Sequence, residues 1–342
     1  MNDISKIFPE TGAWEKLLAL NNPCDLNTVL GKSLIDPVND FFQKPGKNIR
    51  PRLVELGYRL AFDSDPVEIP EEDIQKLKLA GHIVELIHGG SLIVDDIQDG
   101  SHVRRNAPTF HLQHGLPVAL NAGNWLYFWA LGQIKELKLS NDSTQKLLDI
   151  ILGLMIRAHF GQAVDLGTRI DEISQSDVEK TCYASMELKT GTLLCLALQL
   201  GAAVSNREPA MDLNALGNKL GFMLQLFDDF GNFAEEKKSS PSKRYEDLYN
   251  RRPTWAWAQA SKLDSDTYSD FLSAIRQLPN EDQLEQWILQ HEFINLMWLE
   301  ARGSLTRARD EWRNQLHLSH PFALETLLDL CSLLEKSYVK KT

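Results

Sequence analysis

The stretch ELIHGGSLIVDDIQDGSHVRRN, residues 85–106, places paired aspartates at the end of an apolar run with helical periodicity. Residues four apart share one face of a helix, so Asp95 and Asp99 point the same way, and His88 lies two turns earlier on that side. Asp96 lies about 100° further round and flanks the cluster. Three carboxylates this close repel one another, and Mg²⁺ bound by carboxylates and substrate phosphates would resolve the repulsion. The alternative is a solvated acidic helix end.

A second stretch with similar chemistry, LQLFDDFGNFAEE, covers residues 224–236. Its oxygen-bearing side chains follow helical spacing at Gln225, Asp229, Asn232 and Glu236, with Asp228 on the same flank. Two such helices facing each other in a bundle would bring carboxylates to opposite walls of one cavity. The two clusters together predict a site for divalent metal ions that bind a diphosphate.

The composition is that of a soluble globular protein, with 342 residues, 43% hydrophobic and 24% charged. The formal charge of −11 argues against a general nucleic-acid binder, which needs a basic surface. Four scattered cysteines without a CxxC pattern indicate reduced thiols and predict a cytoplasmic protein. We expect no signal peptide and no membrane span, because no basic start precedes an apolar run and no 18 apolar residues are uninterrupted.

Helical periodicity dominates the chain and no convincing strand is visible, which predicts an all-α protein, one large helical bundle over residues 1–342. Residues 106–117 are expected to form a connection and residues 237–252 an exposed loop. We expect helices at about residues 29–43, 46–62, 70–96, 121–139, 144–166, 176–188, 191–205 and 213–236, and several more after residue 253.

Gly89 and Gly90 lie inside the helix that carries the first aspartates, where each costs roughly 1 kcal/mol relative to alanine. Close packing of helices is one explanation. The other is that the missing side chains leave room for a long ligand beside the aspartates.

Basic residues beside the apolar helices are candidates for binding an anionic group without a metal. Arginine suits phosphate because its planar fork presents paired donors. Taken singly, each of these residues could equally be a solvated surface charge. The candidates are Lys47, Arg50, Arg104, Arg105, Lys189, Arg244, Arg251 and Arg252.

Several motifs in order along residues 45–254 resemble those of the trans-isoprenyl diphosphate synthases, most closely the eukaryotic-type geranylgeranyl diphosphate synthases. They are GKNIRP (46–51), the DDxxD of the first cluster, the following RR, GQAVDL (161–166), KTG (189–191) and LQLFDDFGN (224–232). The chain departs from the family pattern at Asn124, at Asn232, at PSKRYEDL (241–248) and at Arg252, where aspartate, aspartate, GKPxGxDL and lysine are common.

The resemblance implies a role for each matched residue and three Mg²⁺ ions per active site. Lys47, Arg50, His88 and Arg105 would bind the diphosphate of isopentenyl diphosphate. The metal ligands would be Asp95, Asp99, Asp228 and Asn232, supported by Asp96 and Asp229. Arg104, Lys189 and Arg252 would bind the allylic diphosphate, and Gln225 and Thr190 would offer dipoles to a carbocation.

The implied reaction is a head-to-tail condensation of isopentenyl diphosphate with an allylic diphosphate by a homodimer. Gly90 and Ser91, small residues just before the aspartates, favour a C20 product, with C15 and C25 as alternatives. Deeper aromatic residues could close the tail pocket or simply be core, namely Trp125, Tyr127, Phe128 and Trp129.

Three other functions compete with this one. A class I terpene cyclase would use Asp228, Asn232 and Glu236 as a metal triad and some of the eight tryptophans for carbocations, but it has no use for the predicted isopentenyl diphosphate site. A non-catalytic partner subunit has no need of intact aspartates. A di-iron site could start from the ExxH pattern of Glu85 and His88, but it needs a second ExxH, and the sequence has none.

Overall fold

The protein is described by a computed structural model that covers residues 4–8, 26–43, 49–105, 107–209, 211–234 and 245–339. Its helices are α1 (Leu26–Leu30), α2 (Asp36–Gln43), α3 (Ile49–Arg59), α4 (Glu71–Gln98), α5 (Phe110–His114), α6 (Leu116–Gln133), α7 (Asn141–Gly167), α8 (Gln175–Met186), α9 (Thr192–Ser205), α10 (Leu213–Ala234), α11 (Glu246–Tyr249), α12 (Trp255–Ala260), α13 (Ser265–Arg276), α14 (Asp282–Gln290), α15 (Phe293–Leu316) and α16 (Pro321–Val339). The prediction of an all-α fold is confirmed.

Shorter helical turns join several of these helices. The turns Ile4–Ile7, Ile134–Leu137 and Ile170–Glu172 are 3₁₀-helical, whereas Gly31–Ile35 and Glu187–Gly191 have π-helical hydrogen bonding. The π turn Gly31–Ile35 connects α1 to α2 without a break, so the expected helix at residues 29–43 is present.

Helix α4, which carries the first acidic cluster, begins and ends where local chemistry dictates. Its first turn contains Glu71, Glu72 and Asp73, whose negative charges stabilise the positive end of the helix dipole. Asp99 caps the other end, and Gly100 follows at φ 62, a left-handed conformation that suits glycine. The chain then turns into a short antiparallel hairpin of β1 (Val103–Arg104) and β2 (Ala107–Pro108), paired as Val103 with Pro108 and Arg104 with Ala107.

The chain divides into two compact units, each described by itself. One contains residues 1–55 and 69–148, and the other contains residues 56–68 and 149–342. Two of the three boundaries fall inside α3 and α7, and the third lies between α3 and α4. The prediction of a single domain over the whole chain stays a prediction.

In the first unit, α4 packs along α6 over a buried apolar core. The closest approach is at Gly90 and Gly123, where a Cβ on Gly90 would lie 2.8 Å from the Gly123 carbonyl oxygen. A Cβ on Gly89 would lie 2.4 Å from the ring of Phe42. Of the two explanations for these glycines, the structure therefore supports close packing.

In the second unit, α10 packs against α9, α15 and α16, with a core that includes Trp255, Trp257 and Trp312. The described part of residues 237–252 differs from the exposed loop that we expected. Tyr245, Leu248 and Arg251 are buried there, because α11 turns its apolar side inward. The expected connection at residues 106–117 contains β2 and α5, elements too short to produce a recognisable period.

Three helical stretches are long and apolar enough to cross a membrane when judged only by length and composition, namely Glu71–Gln98, Asn141–Gly167 and Gln175–Ser205. Within their most apolar windows, 56%, 17% and 61% of the residues are buried inside the protein. Helix α7 therefore differs from the other two because most of its apolar window is not buried inside the protein. The absence of a membrane span stays a prediction.

Candidate active site

The predicted site residues fall into two groups, one in each compact unit. The first unit contains Arg50, His88, the first acidic cluster (Asp95, Asp96 and Asp99), Arg104 and Arg105. The second unit contains Lys189, Thr190, Gln225, the second acidic cluster (Asp228, Asp229 and Asn232) and Arg252. Three further candidates, Lys47, Glu236 and Arg244, lie outside the described residues.

The first acidic cluster has one buried and two accessible carboxylates. Asp96 is 1% exposed, and the guanidinium of Arg104 donates to both of its oxygens, with Nε 3.0 Å from each and a second nitrogen 2.6 Å from Oδ1. Burial opposes the charge of Arg104, but its hydrogen bonds to Asp96 and the nearby carboxylates outweigh this and raise its pKa. Asp95 and Asp99 keep part of their surface exposed on the last turn of α4.

This geometry assigns Asp96 a supporting contact and leaves Asp95 and Asp99 as the accessible ligands. The turn at the end of α4 makes the contact possible, because Gly100 at φ 62 and the Ser101 N–H bond to the Asp96 backbone oxygen redirect the chain, and Arg104 follows a few residues later. The neighbouring Arg105 sits at the turn with φ 51 and lies over the ring of Phe41, 5.9 Å from its centroid.

A second set of polar side chains in the first unit consists of Arg50, His88 and Arg105, and we call it the basic set. Glu85 offsets only part of its positive charge. Arg50 lies 3.8 Å from Glu85. Burial lowers the pKa of Arg50 to about 10, although Glu85 acts in the opposite direction. The pKa of His88 is held well below its ordinary value by burial and by the positive charges of Arg50, Arg105 and Arg104. His88 is therefore neutral at pH 7.

Among the residues that the structure describes, Nε of Arg50 and Nδ1 of His88 are enclosed in this basic set without a hydrogen-bond partner. A buried polar atom without a partner costs free energy, so such atoms call for an explanation in a native structure. An anion with several oxygens would supply acceptors for the donors of this set and charge for its arginines. The set is thus suited to a diphosphate.

The second acidic cluster repeats the division between a buried and an accessible aspartate. Asp229 is 3% exposed and accepts from the Gln225 side-chain nitrogen at 2.8 Å and from the Trp255 backbone nitrogen at 2.6 Å. Burial, followed by the charge of Asp247, raises the pKa of Asp229 well above its ordinary value. Asp228 is exposed beside it, and Asn232 is partly buried one turn later.

The predicted residues of the second unit are joined by hydrogen bonds. Lys189 donates to Asp165 Oδ2 at 2.9 Å, and Arg252 donates to the backbone oxygen of Asp165 at 2.8 Å. Next to Lys189, the hydroxyl of Thr190 donates to Gln225 Oε1 at 2.9 Å, and Gln225 in turn holds Asp229. These contacts place the two predicted diphosphate-binding cations and the second acidic cluster in one network.

Lys189 and Thr190 occupy the π-helical turn Glu187–Gly191 rather than a regular helix. Such turns are rare and occur often at functional sites. The turn is fixed by a close backbone contact, since a Cβ on Gly221 of α10 would lie 2.5 Å from the Cα of Gly191. The sequence predicts the KTG motif at the junction of two helices, but it does not predict the π-helical geometry.

Three residues in these networks are absent from the predicted site. Asp165 lies in the quoted GQAVDL motif, which is the signal for its role. In the sequence, Glu85 is notable only as part of an ExxH pattern for a metal, and the structure places it in an ion pair with Arg50 instead. Trp255 contributes only its backbone nitrogen, for which the sequence contains no signal.

The residues that could close a tail pocket are divided by the structure. Trp125 and Trp129 stack at 5.2 Å, and Phe8 lies 5.9 Å from Trp125, which is ordinary aromatic packing. Tyr127 lies beside Gly90 in the packing of α6 on α4. Phe128 is 73% exposed, so it belongs to the surface of this chain and not to its core.

The carboxylates suit Mg²⁺ only if waters or substrate phosphates supply its remaining ligands. Among the described residues, no group of three or more histidines, cysteines, aspartates and glutamates is arranged to hold a metal ion by itself. Mg²⁺ is commonly bound by one or two carboxylates together with waters and substrate phosphates. Asp95, Asp99 and Asp228 are accessible carboxylates of this kind.

The chain is similar to one protein family and to several individual proteins. The model of the polyprenyl synthetase family matches residues 31–290. Geranylgeranyl pyrophosphate synthase 2 of Zymoseptoria tritici is 31% identical over 216 residues, which cover 63% of this chain and 60% of that protein. A terpene synthase of Matsumurasca onukii is 32% identical over 231 residues, 67% of this chain and 69% of that protein.

The fold is also similar to that of a solved structure. The crystal structure of a geranylgeranyl pyrophosphate synthase matches with a TM-score of 0.74 at 19% identity, covering 98% of both chains. The match to the Zymoseptoria synthase spans only 60% of that protein's length. Because the family model covers most of the chain and spans every motif quoted above, the protein belongs to the polyprenyl synthetase family.

Proposed function

We propose that the protein catalyses the Mg²⁺-dependent head-to-tail condensation of isopentenyl diphosphate with an allylic diphosphate, and that its main product is geranylgeranyl diphosphate. The observation that carries the proposal is the repeated arrangement of the aspartate pairs. In each pair the second aspartate is buried and hydrogen-bonded, and the first remains accessible. A solvated acidic helix end would not bury half of each pair.

The basic set of the first unit is proposed to bind isopentenyl diphosphate. Arg50 and Arg105 supply positive charge, and neutral His88 supplies a ring nitrogen that has no partner within the described part of the chain. A diphosphate would satisfy these groups and compete with Glu85 for Arg50, which reduces the unfavourable burial of charge. Lys47 is proposed to join this set on the basis of the family resemblance.

The allylic diphosphate is proposed to bind through Lys189, Arg252, Arg104 and Mg²⁺ ions held by Asp95, Asp99 and Asp228. When bound, Mg²⁺ would stabilise the negative charge that develops on the departing diphosphate. Asp165 orients Lys189, and the Gln225 amide fixes the Thr190 hydroxyl, so this side of the site is already organised without substrate. That both acidic clusters serve the same allylic diphosphate is part of the proposal.

The test is a product assay by mass spectrometry with Mg²⁺, isopentenyl diphosphate and C5, C10, C15 or C20 allylic diphosphates in parallel. We expect linear products up to C20 and no turnover in EDTA. The Asp95→Asn variant should lose activity by a factor of about 100 or more, because it removes an accessible metal ligand and keeps the side-chain volume. Near-normal turnover of that variant would overturn the metal assignment, and longest products of C15 or C25 would overturn the C20 assignment.

A second candidate is a class I terpene synthase. It is favoured by the 32% identity to the Matsumurasca terpene synthase and by the spacing of Asp228 and Asn232 on α10. The same assay separates the two functions. A terpene synthase would form cyclic or rearranged hydrocarbons from a single allylic diphosphate and leave isopentenyl diphosphate unused. That result would establish the terpene synthase and exclude the condensation with isopentenyl diphosphate.

We also propose that the protein is a homodimer, supported by an exposed apolar stripe on α7. Leu152, Ile156 and Phe160 follow i, i+4, i+8 spacing and are 45%, 57% and 65% exposed. Large exposed apolar stripes are rare on monomers and mark interaction sites. Light scattering should give twice the chain mass for the wild type and a smaller mass for Ile156→Lys, and a monomeric wild type would exclude the dimer.

A cytoplasmic location is likewise a proposal, and recovery in the membrane fraction would overturn it.

A further inference from the structure

The loop at residues 250–254 joins α11 to α12 and contains Arg252, one of the predicted diphosphate-binding residues. Its neighbour Arg251 has φ 59, a left-handed conformation that non-glycine residues seldom adopt. Arg251 is also buried, which is unusual for an arginine. A strained residue of this kind persists only when the surrounding structure holds it in place.

The guanidinium of Arg251 supplies that hold through hydrogen bonds to two elements and an ion pair with a third. One terminal nitrogen donates to the backbone oxygens of Leu248 at 2.7 Å and Tyr249 at 2.8 Å, and the other donates to the oxygen of Ile275 in α13 at 3.1 Å. Its Nε lies 3.5 Å from the carboxylate of Asp171 in the turn Ile170–Glu172. The backbone oxygen of Arg251 accepts from the Ile170 nitrogen of the same turn at 3.2 Å.

Both ends of the segment that follows Arg251 are bound to the candidate site. The next residue, Arg252, donates to the Asp165 backbone oxygen, and Asp165 binds Lys189. Three residues further on, the Trp255 nitrogen donates to buried Asp229. Because so few residues separate these contacts from Arg251, the φ angle at Arg251 determines the direction in which Arg252 and the Trp255 N–H point.

We propose that Arg251 is a positioning residue for diphosphate binding. It fixes the 250–254 loop so that Arg252 contacts Asp165, the partner of Lys189, while the Trp255 N–H holds Asp229, and it contacts no substrate itself. This inference rests on the proposed function in one respect, namely that Arg252 binds a diphosphate. The positioning of the loop itself can be tested without any substrate.

The decisive variant is Arg251→Gly. Glycine adopts φ 59 without strain, so the change removes the guanidinium and keeps the backbone conformation accessible. Arg251→Lys is the conservative partner, since it keeps the charge but cannot reproduce the fork of donors. Glu292→Gly is the matched control, because Glu292 is an exposed residue with φ 47 at the start of α15 and is not one of the predicted site residues.

The substrate-free measurement is hydrogen–deuterium exchange of peptides that cover residues 250–258. The Trp255 amide lies in the first turn of α12, where amides lack partners within the helix, so its protection depends on Asp229. We expect exchange of this amide to be about tenfold faster or more in Arg251→Gly and intermediate in Arg251→Lys. Glu292→Gly should leave it unchanged.

The functional measurement is calorimetric binding of inorganic diphosphate with Mg²⁺, together with steady-state kinetics. We expect Arg251→Gly to weaken diphosphate binding and to raise KM for the allylic diphosphate by about tenfold, with KM for isopentenyl diphosphate unchanged. Equal changes in both KM values, or a lowered Tm with unchanged exchange and unchanged binding, would show a merely structural role and overturn the inference.

The two proposals fail in different ways. Wild-type exchange rates at Trp255 in both Arg251 variants would overturn the positioning role, whatever the activity. Faster exchange and weaker diphosphate binding, combined with no elongation by the wild type from any starter, would overturn the proposed reaction and support the positioning role. If Arg251→Gly does not fold, Arg251→Lys decides the question by the same measurements.

Discussion

The pH dependence of stability provides a sharp test of the basic set, because His88 is held neutral inside it. Burial is the largest cause of its lowered pKa, and Arg50, Arg105 and Arg104 add to it in that order. In the unfolded chain His88 would titrate near its ordinary value of about 6.5. The folded protein therefore binds fewer protons than the unfolded chain as the pH falls below that value.

The sign and size of the effect follow from linkage. Where the unfolded state binds more protons, stability falls as the pH falls, by up to about 1.4 kcal/mol per pH unit for one group. Between pH 7.5 and pH 5.5, His88 should thus cost the folded protein about 1.4 kcal/mol, provided that it stays neutral when folded. The loss begins near the unfolded pKa and continues until the folded pKa is reached.

The assay is urea unfolding of the wild type and of His88→Gln at several pH values, followed by circular dichroism. The difference between the two proteins isolates His88 from the other titrating groups. The wild type should lose about 1.4 kcal/mol more than the variant over this range. Arg50→Gln, which removes a positive neighbour of His88, should reduce that excess loss. Parallel curves for wild type and His88→Gln would refute the conclusion that this site holds histidine neutral.

Two further predictions concern packing and the first acidic cluster. Gly221→Ala should destabilise the protein by about 1–3 kcal/mol, because its Cβ would lie 2.5 Å from the Cα of Gly191. Gly153→Ala, on α7 with open space around it, is the control and should be neutral or stabilising in the same urea unfolding, and equal effects of the two would contradict the packing argument. Asp96→Ala should lower stability by roughly 1–3 kcal/mol, since it leaves Arg104 without its main partner, whereas Asp99→Ala should have a smaller effect on unfolding.

Much of the fold could be predicted because the helices are long and their apolar residues recur at helical spacing. The acidic first turn of α4 and the glycine after its last turn mark both ends of the helix in the sequence. The first acidic cluster could be predicted for the same reason, since spacing along one helix determines which carboxylates share a face. The confirmed all-α fold therefore rests on local information.

Two of the contacts that distinguish the members of each aspartate pair, those of Arg104 and Trp255, come from outside the helices that carry the aspartates. Arg104 reaches Asp96 through the turn that follows α4 at Gly100, and the strand that carries Arg104 is too short to show a period. Trp255 reaches Asp229 through its backbone, which every residue type offers. The π-helical turn at Lys189 depends on the approach of Gly221 to Gly191, a tertiary contact.

The two aspartate pairs solve the same electrostatic problem by different means. Neighbouring carboxylates repel each other, so one of each pair is withdrawn into the protein and stabilised there. Asp96 is stabilised by a full positive charge, that of Arg104. Asp229 is stabilised by neutral donors, the Gln225 amide and the Trp255 N–H, which do not offset its burial, and its pKa is raised. The ionised form of Asp229 therefore destabilises the folded state, a cost that shrinks as the pH falls from the raised pKa towards the pKa of the unfolded chain.

The two clusters should therefore respond differently to changes elsewhere in the chain. Asp96 should keep its charged partner when distant residues are substituted, because Arg104 lies only eight residues away in the chain. Asp229 depends on a backbone N–H whose position is set by the 250–254 loop and, through it, by Arg251. The second cluster is the one whose geometry distant substitutions in α11, α13 or the turn Ile170–Glu172 should disturb, while the first cluster should tolerate them.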